Sequence, residues 1–274
     1  MKKLFISDLD GTLLNSQGLI SGKSISVLNS LIKQGMNFTV ATARTAVSAV
    51  KIISDVNINV PCIFMNGVSI YDINKKEYLK NEYIDVNDSR RIINILKNHG
   101  LSAFMYKIEN NVLSCAYTDV SELSMYDFYI LRRDKYEKPF IQAADLLDVC
   151  NDYVVYFSMT YSYDKLVGLK NEISQIKNLK FEFYKDVYSK DLWYLEIFSS
   201  RASKYNGVQY LRDRFGFSHV TAFGDNLNDI PLFKASDVKV AVANARDELK
   251  AIADYIAEDN DSDGVANWLM LNKE

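Results

Sequence analysis

Short apolar runs alternate with helix-period stretches over the first 75 residues. Lys3 to Ser7 reads as a strand that ends against acidic residues. Ile25, Leu28, Leu31 and Ile32 recur at helical spacing within Ser21 to Gln34, with Ser21 placed as N-cap and Gly35 as the stop. Met36 to Ala41 predicts a second strand, and Thr45 to Val56 a helix with Val47, Val50 and Ile53 on one face. Pro61 to Met65 predicts a third strand, closed by the Asn66-Gly67 turn signal. This β-α-β-α-β order predicts a parallel sheet with helices on both faces.

The middle of the chain has a different texture. Between Tyr78 and Tyr188 lie 13 of the 18 tyrosines, which sets this stretch apart as a separate unit. Val86 to Gly100 reads as a helix, and Leu101 to Ile108 and Val112 to Tyr117 as a hairpin turning at Asn110-Asn111. Tyr153 to Thr160, Asn178 to Tyr184 and Leu192 to Phe198 read as strands, with a helix over Lys165 to Ile176. The first texture then returns: helices over Ser203 to Phe215, Leu227 to Lys234, Asp247 to Ala253 and Ser262 to Leu271, strands over His219 to Phe223 and Val238 to Val242. The expectation is a discontinuous α/β core, residues 1–77 plus 190–274, with an α+β domain inserted at 78–189.

Composition narrows the functional classes. Lys plus Arg is 32 against 35 Asp plus Glu, a formal net charge of −3, so no global field draws in nucleic acid or an anionic membrane. An anionic substrate must then be held by a local site. Cys62, Cys115 and Cys150 sit at no metal-ligand spacing and fit a reducing compartment. The apolar start Leu4-Phe5-Ile6 is broken by Asp8 and Asp10, far short of a secretory core. The expectation is a cytoplasmic protein with no membrane or nucleic-acid partner; oligomeric state is not legible.

Four short motifs carry chemistry. In Asp8-Leu9-Asp10-Gly11-Thr12, two carboxylates point the same way from the carboxyl edge of a parallel sheet, where such folds bind ligands. Their mutual repulsion would be relieved by a divalent cation, which needs oxygen ligands; the plainer reading is an acidic strand-end turn. Gly224-Asp225-Asn226-Leu227-Asn228-Asp229 follows another strand and opens a helix, so one turn could present Asp225, Asn228 and Asp229 together, or Asp and Asn could merely cap it. Thr42, in Ala41-Thr42-Ala43-Arg44, offers a hydroxyl to a phosphate oxygen or an N-cap to the next helix. Lys204 opens a helix, a position where a lone lysine is ordinarily a solvated charge.

Their order on these elements resembles the haloacid dehalogenase superfamily of aspartyl phosphatases. Asp8-Leu9-Asp10-Gly11-Thr12-Leu13-Leu14 matches its first motif, Thr42 the second, Lys204 the third and Gly224 to Asp229 the fourth. The long gap between Thr42 and Lys204 holds the insertion, which together with Asn66-Gly67 and Asp263-Gly264-Val265 is similar to the Cof-type branch with a type IIB cap. Ala43 stands where Gly is common, and Tyr205 where Gly commonly follows the lysine.

The resemblance implies a Rossmann-like core and an α+β cap that sets substrate specificity. It implies a Mg²⁺-dependent phosphatase acting on a small phosphorylated metabolite such as a sugar phosphate. Asp8 would be the nucleophile and Asp10 the general acid and base. The cation would be held by Asp8, the Asp10 backbone carbonyl and Asp225, with Asp229 and Asn228 completing its shell directly or through water. Thr42, Ala43, Arg44, Lys204 and Asn228 would line the phosphate. A phosphomannomutase-type sugar phosphomutase shares the same motifs. A signalling receiver domain fits poorly, since its acceptor Asp lies on a later strand. In the cap, Tyr126, Phe128, Tyr129, Arg132 and Arg133 read either as a specificity surface or as cap core with a solvated basic stretch.

Overall fold

The computed structural model describes residues 1–136, 139–185 and 191–272. The chain divides into two compact units, Met1–Lys80 with Ser203–Glu274, and Asn81–Ala202. From the amino end come β1 (Lys3–Ser7), α1 (Gly22–Lys33), β2 (Phe38–Val40), α2 (Ala46–Ile52), β3 (Cys62–Phe64), β4 (Ser69–Asp72) and β5 (Glu77–Asn81). The second unit then runs through α3 (Val86–Asn98), β6 (Phe104–Glu109), β7 (Val112–Tyr117), α4 (Leu123–Tyr136), β8 (Phe140–Gln142) and α5 (Leu146–Val149). It continues with β9 (Val154–Ser162), α6 (Tyr163–Ile173), β10 (Leu179–Lys185) and β11 (Leu192–Ser199). The chain returns through α7 (Lys204–Phe215), β12 (His219–Gly224), α8 (Ile230–Lys234), β13 (Val238–Val242), α9 (Asp247–Lys250), β14 (Tyr255–Ala257) and α10 (Gly264–Leu271).

In the first unit the sheet order is β14-β13-β12-β1-β2. Every neighbouring pair is parallel, and a parallel bridge from Ala41 to Ile63 brings β3 alongside β2. β1 and β12 lie at the centre, which is why both are rich in apolar residues: Leu4, Ile6, Val220, Ala222 and Phe223 are fully buried. Ser21 caps α1 by accepting from Ser24 N, and Gly35 ends the connection at φ +99°.

Several elements depart from the sequence reading. The buried stripe of α2 is Ala46 and Ala49, with Ile53 just beyond it, whereas Val47 and Val50 are half-buried. The stretch 227–234 is not one helix, because Pro231 restarts it: a 3₁₀ turn over Leu227–Asp229 precedes α8. Edge strand β14 leaves Tyr255 and Ile256 both exposed, so it lacks the alternation that marks a strand. The sequence also gave no sign of the β4–β5 hairpin or of α4.

The second unit holds a six-stranded sheet, β10-β11-β9-β6-β7-β8, antiparallel apart from β7–β8. β11 pairs with β9 and β10 within this unit, so residues 191–202, read from sequence with the core, belong here instead. Asn110 and Asn111 take φ of 50° and 64°, as a tight hairpin turn requires. Tyr129 packs on Tyr117 (5.4 Å) and Phe140 (4.9 Å), and Arg133 lies over the Tyr129 ring, so these residues serve the packing of this unit. Tyr126 is exposed; the side chains of Phe128 and Arg132 lie outside the described residues, as does the expected boundary at 189–190. No described helix is long and apolar enough to cross a membrane.

Candidate active site

The register of β1 against β12 sets Ser7 opposite Phe223, and the Asp8 amide donates to the Phe223 carbonyl at 3.0 Å. Both strands therefore deliver their acidic motifs to the same carboxyl edge. Asp8 is 5% exposed there. Lys204 is the first residue of α7, whose N-cap Ser203 accepts from Asn206 N. That start aims the lysine inward, where it is 1% exposed, so it is not the solvated charge a lone lysine usually is.

Lys204 Nζ donates to Asp8 Oδ1 at 2.6 Å and to Asp229 Oδ1 at 2.7 Å. The second oxygen of Asp229 accepts from the backbone of Asp225 (3.0 Å) and of Asn226 (3.1 Å). Asp229 therefore ties its own loop together as well as the lysine. A Cβ on Gly224 would come within 2.8 Å of Asp229 Cβ, so only glycine lets this fully buried carboxylate fold back. Asp225 accepts from Thr12 Oγ1 at 2.8 Å. Gly11, at φ +77°, passes so close that a Cβ would meet Asp225 Oδ2 at 2.5 Å.

Asp8, Asp225 and Asp229 each offer a carboxylate oxygen, all within 4.8 Å of one another. Burial pushes the Asp8 carboxyl well above the usual carboxylate range despite the pull of Lys204, and the charges of Asp229 and Asp225 add to the rise. Burial likewise raises Asp225 to about 6, with Asp229 contributing. Burial works against the Lys204 ammonium, but Asp229 and Asp8 outweigh it and lift its pKa above the ordinary lysine value. Among the described residues three crowded carboxylates face one buried ammonium, so the cluster carries more negative than positive charge. Its donors are hard oxygens, and the set suits a divalent cation such as Mg²⁺.

Asp10 stands apart from this cluster. Its carboxylate takes two hydrogen bonds from Arg44, from Nε at 2.7 Å and from a terminal nitrogen at 2.6 Å. Thr42 is buried; its hydroxyl oxygen accepts from Arg44 N (3.1 Å), which leaves the hydroxyl proton available for donation. Ala43 is exposed. The Thr42 carbonyl accepts from Asn66 N at 3.0 Å, and Asn228 Nδ2 lies 3.5 Å from Asn66 Oδ1. The fold thus brings Asp8, Lys204, Asp225 and Asp229 into one network, and ties Asn66 to Thr42 through its backbone and to Asn228 through its side chain. The sequence reading gave no role to Asn66, noted as half of a turn signal and as part of the resemblance to the Cof-type branch, or to Thr12, quoted within a motif.

A family model described as haloacid dehalogenase-like hydrolase matches residues 5–269. Pyridoxal phosphate phosphatase YbhA of Escherichia coli is 24% identical, covering 96% of this chain and 95% of that protein. The 5-amino-6-(5-phospho-D-ribitylamino)uracil phosphatase YwtE of Bacillus subtilis is 25% identical, covering 97% and 96%. A crystal structure of a haloacid dehalogenase-like hydrolase from Bacteroides thetaiotaomicron superimposes with a TM-score of 0.83 at 22% identity, covering 99% of both chains.

Proposed function

Since the chain belongs to the haloacid dehalogenase-like hydrolase family, we propose that it is a divalent-metal-dependent phosphatase that hydrolyses a small phosphorylated metabolite through an aspartyl-phosphate on Asp8. The observation that carries this reading is the buried network in which one ammonium, Lys204, bridges Asp8 and Asp229 beside Asp225. Such an arrangement keeps a carboxylate dry, oriented and partly neutralised, as a nucleophile facing a phosphate dianion must be.

In this reading an Asp8 oxygen attacks phosphorus in line, and the ester oxygen leaves as it takes a proton from Asp10. Water then attacks the phosphoryl group on Asp8 and gives a proton back to Asp10, which regenerates both carboxyl groups. Lys204 holds Asp8 in place and offers its remaining hydrogen to a phosphoryl oxygen. Thr42 and Asn228 donate to the other oxygens, where a loose transition state spreads its charge. Asp8, Asp225, Asp229 and the Asp10 backbone carbonyl would hold Mg²⁺, whose charge lets two anions meet. Arg44 orients Asp10. The inserted α+β unit is read as the module that selects the substrate.

Two relatives act on pyridoxal phosphate and on a ribityl phosphate, which supports small phosphate monoesters as the substrate class. The test is phosphate release from p-nitrophenyl phosphate with Mg²⁺ and with EDTA, for wild type and Asp8→Asn. Metal-dependent release that disappears in the variant is expected. An inactive wild type, or an active Asp8→Asn, would overturn the reading.

A further inference from the structure

Met65, Asn66 and Gly67 occupy three successive left-handed positions, with φ of 52°, 54° and 95°. Such backbone is strained for a non-glycine residue, above all for a buried methionine, and it persists only where its surroundings hold it. The restraints here are specific. A Cβ on Gly67 would meet the Ser203 carbonyl oxygen at 2.1 Å, so this turn lies directly against the N-cap of α7, one residue before Lys204. The Asn66 amide donates to the Thr42 carbonyl, and the Met65 amide to the Arg44 carbonyl. The turn is therefore tied to both the Thr42 segment and the Lys204 helix.

The Asn66 residue is 8% exposed. Its Oδ1 faces Asn228 Nδ2. Its Nδ2 finds no acceptor among the described residues, yet it is not sealed inside the protein. A carboxamide donor has thus been left open beside Thr42 and Asn228, at the end of a strained turn. We propose that Asn66 contacts the substrate, its Nδ2 donating a hydrogen bond to an oxygen of the transferred phosphoryl group. This rests on the phosphatase reading above and adds a residue to it. A neutral donor suits this place, because a fourth carboxylate would repel the phosphate and Lys204 already carries the charge.

Replacement by glycine separates the two roles that Asn66 could have. Glycine accepts φ +54° without strain, so a purely conformational role predicts that Asn66→Gly stays active. The proposal predicts that Asn66→Gly melts at or above the wild-type temperature while kcat/KM for p-nitrophenyl phosphate falls by roughly 10- to 100-fold, as for one lost hydrogen bond to a charged group. Inhibition by orthovanadate, a mimic of the transferred group, should weaken by a similar factor. Asn66→Asp keeps the shape but replaces the donor with an anion, and should lose at least as much with its fold intact. Retention of kcat/KM within about 2-fold in Asn66→Gly, or losses in both variants that merely follow a fall in melting temperature, would overturn the proposal. An inactive wild type that orthovanadate does not stabilise would sink the phosphatase reading and this inference together. An active wild type with an unaffected Asn66→Gly would sink this inference alone.

Discussion

Arg44 grips both carboxylate oxygens of Asp10 with two hydrogen bonds, 2.7 Å from Nε and 2.6 Å from a terminal nitrogen, across 34 residues of chain. The pair is solvent-accessible, with 52% of the Asp10 side chain exposed, so its worth lies in orientation rather than stability. Arg44→Ala should destabilise the protein by no more than about 1 kcal/mol. It should slow turnover of alkyl phosphates, whose leaving oxygen needs a proton, several-fold more than turnover of p-nitrophenyl phosphate, whose leaving group departs unaided. Paired kcat measurements on the two substrate types check this; an equal loss on both would show that Arg44 does not act through Asp10.

Asp8 carries its charge at a cost, since burial raises its pKa against the pull of Lys204. Asp8→Asn should therefore abolish turnover, by at least about 10³-fold, yet leave the metal-free protein as stable as wild type or more so. Calorimetry in EDTA beside single-turnover kinetics would read both effects. A strongly destabilised variant would mean that the Lys204 pair outweighs the burial of the charge.

Asp225 gives a pH signature. Burial, aided by Asp229, raises its carboxyl to about 6 from 3.8, while Thr12 and Lys204 pull the other way. Between these values the folded protein holds a proton that the unfolded chain has released, so the stability due to this group is present at low pH and lost as pH rises through about 6. Without divalent cations, Asp225→Asn should therefore be more stable than wild type near pH 8, and this advantage should shrink towards pH 4. Added Mg²⁺ should raise the melting temperature of wild type most at the higher pH and do little for Asp225→Asn. A pH-independent difference between the two proteins would contradict the assignment.

Asp229 is more than a candidate metal ligand, because it also holds Lys204 and the amides of Asp225 and Asn226. Asp229→Ala would strip two backbone donors of their acceptor and leave Lys204 with Asp8 alone. A loss of about 2–5 kcal/mol is expected for leaving these two amides without an acceptor, together with loss of activity that excess Mg²⁺ does not restore. Full rescue by metal would show that the loop stands without Asp229.

Much of the fold was legible along the chain for one physical reason: parallel strands buried on both faces are dominated by apolar residues. β1 and β12 are mostly apolar and buried, and the acidic and asparagine-rich segments that follow them marked the site. Elements whose stability comes from neighbours rather than from their own pattern were not legible. The exposed edge strand β14, the β4–β5 hairpin and the aromatic helix α4 have no clean period to read.

The sequence by itself determined the chemistry available: which carboxylates, which hydroxyl and which lysine stand at which strand and helix ends. Local spacing and turn chemistry decide that much, since residues two to four apart fix their own relative directions. Tertiary structure alone decided which of these groups meet. Lys204 reaches Asp8 across 196 residues, Arg44 donates to Asp10, and the Met65–Gly67 turn presses on Ser203. Those contacts follow from sheet order and helix packing, which place distant segments at one edge through interactions that no local pattern encodes.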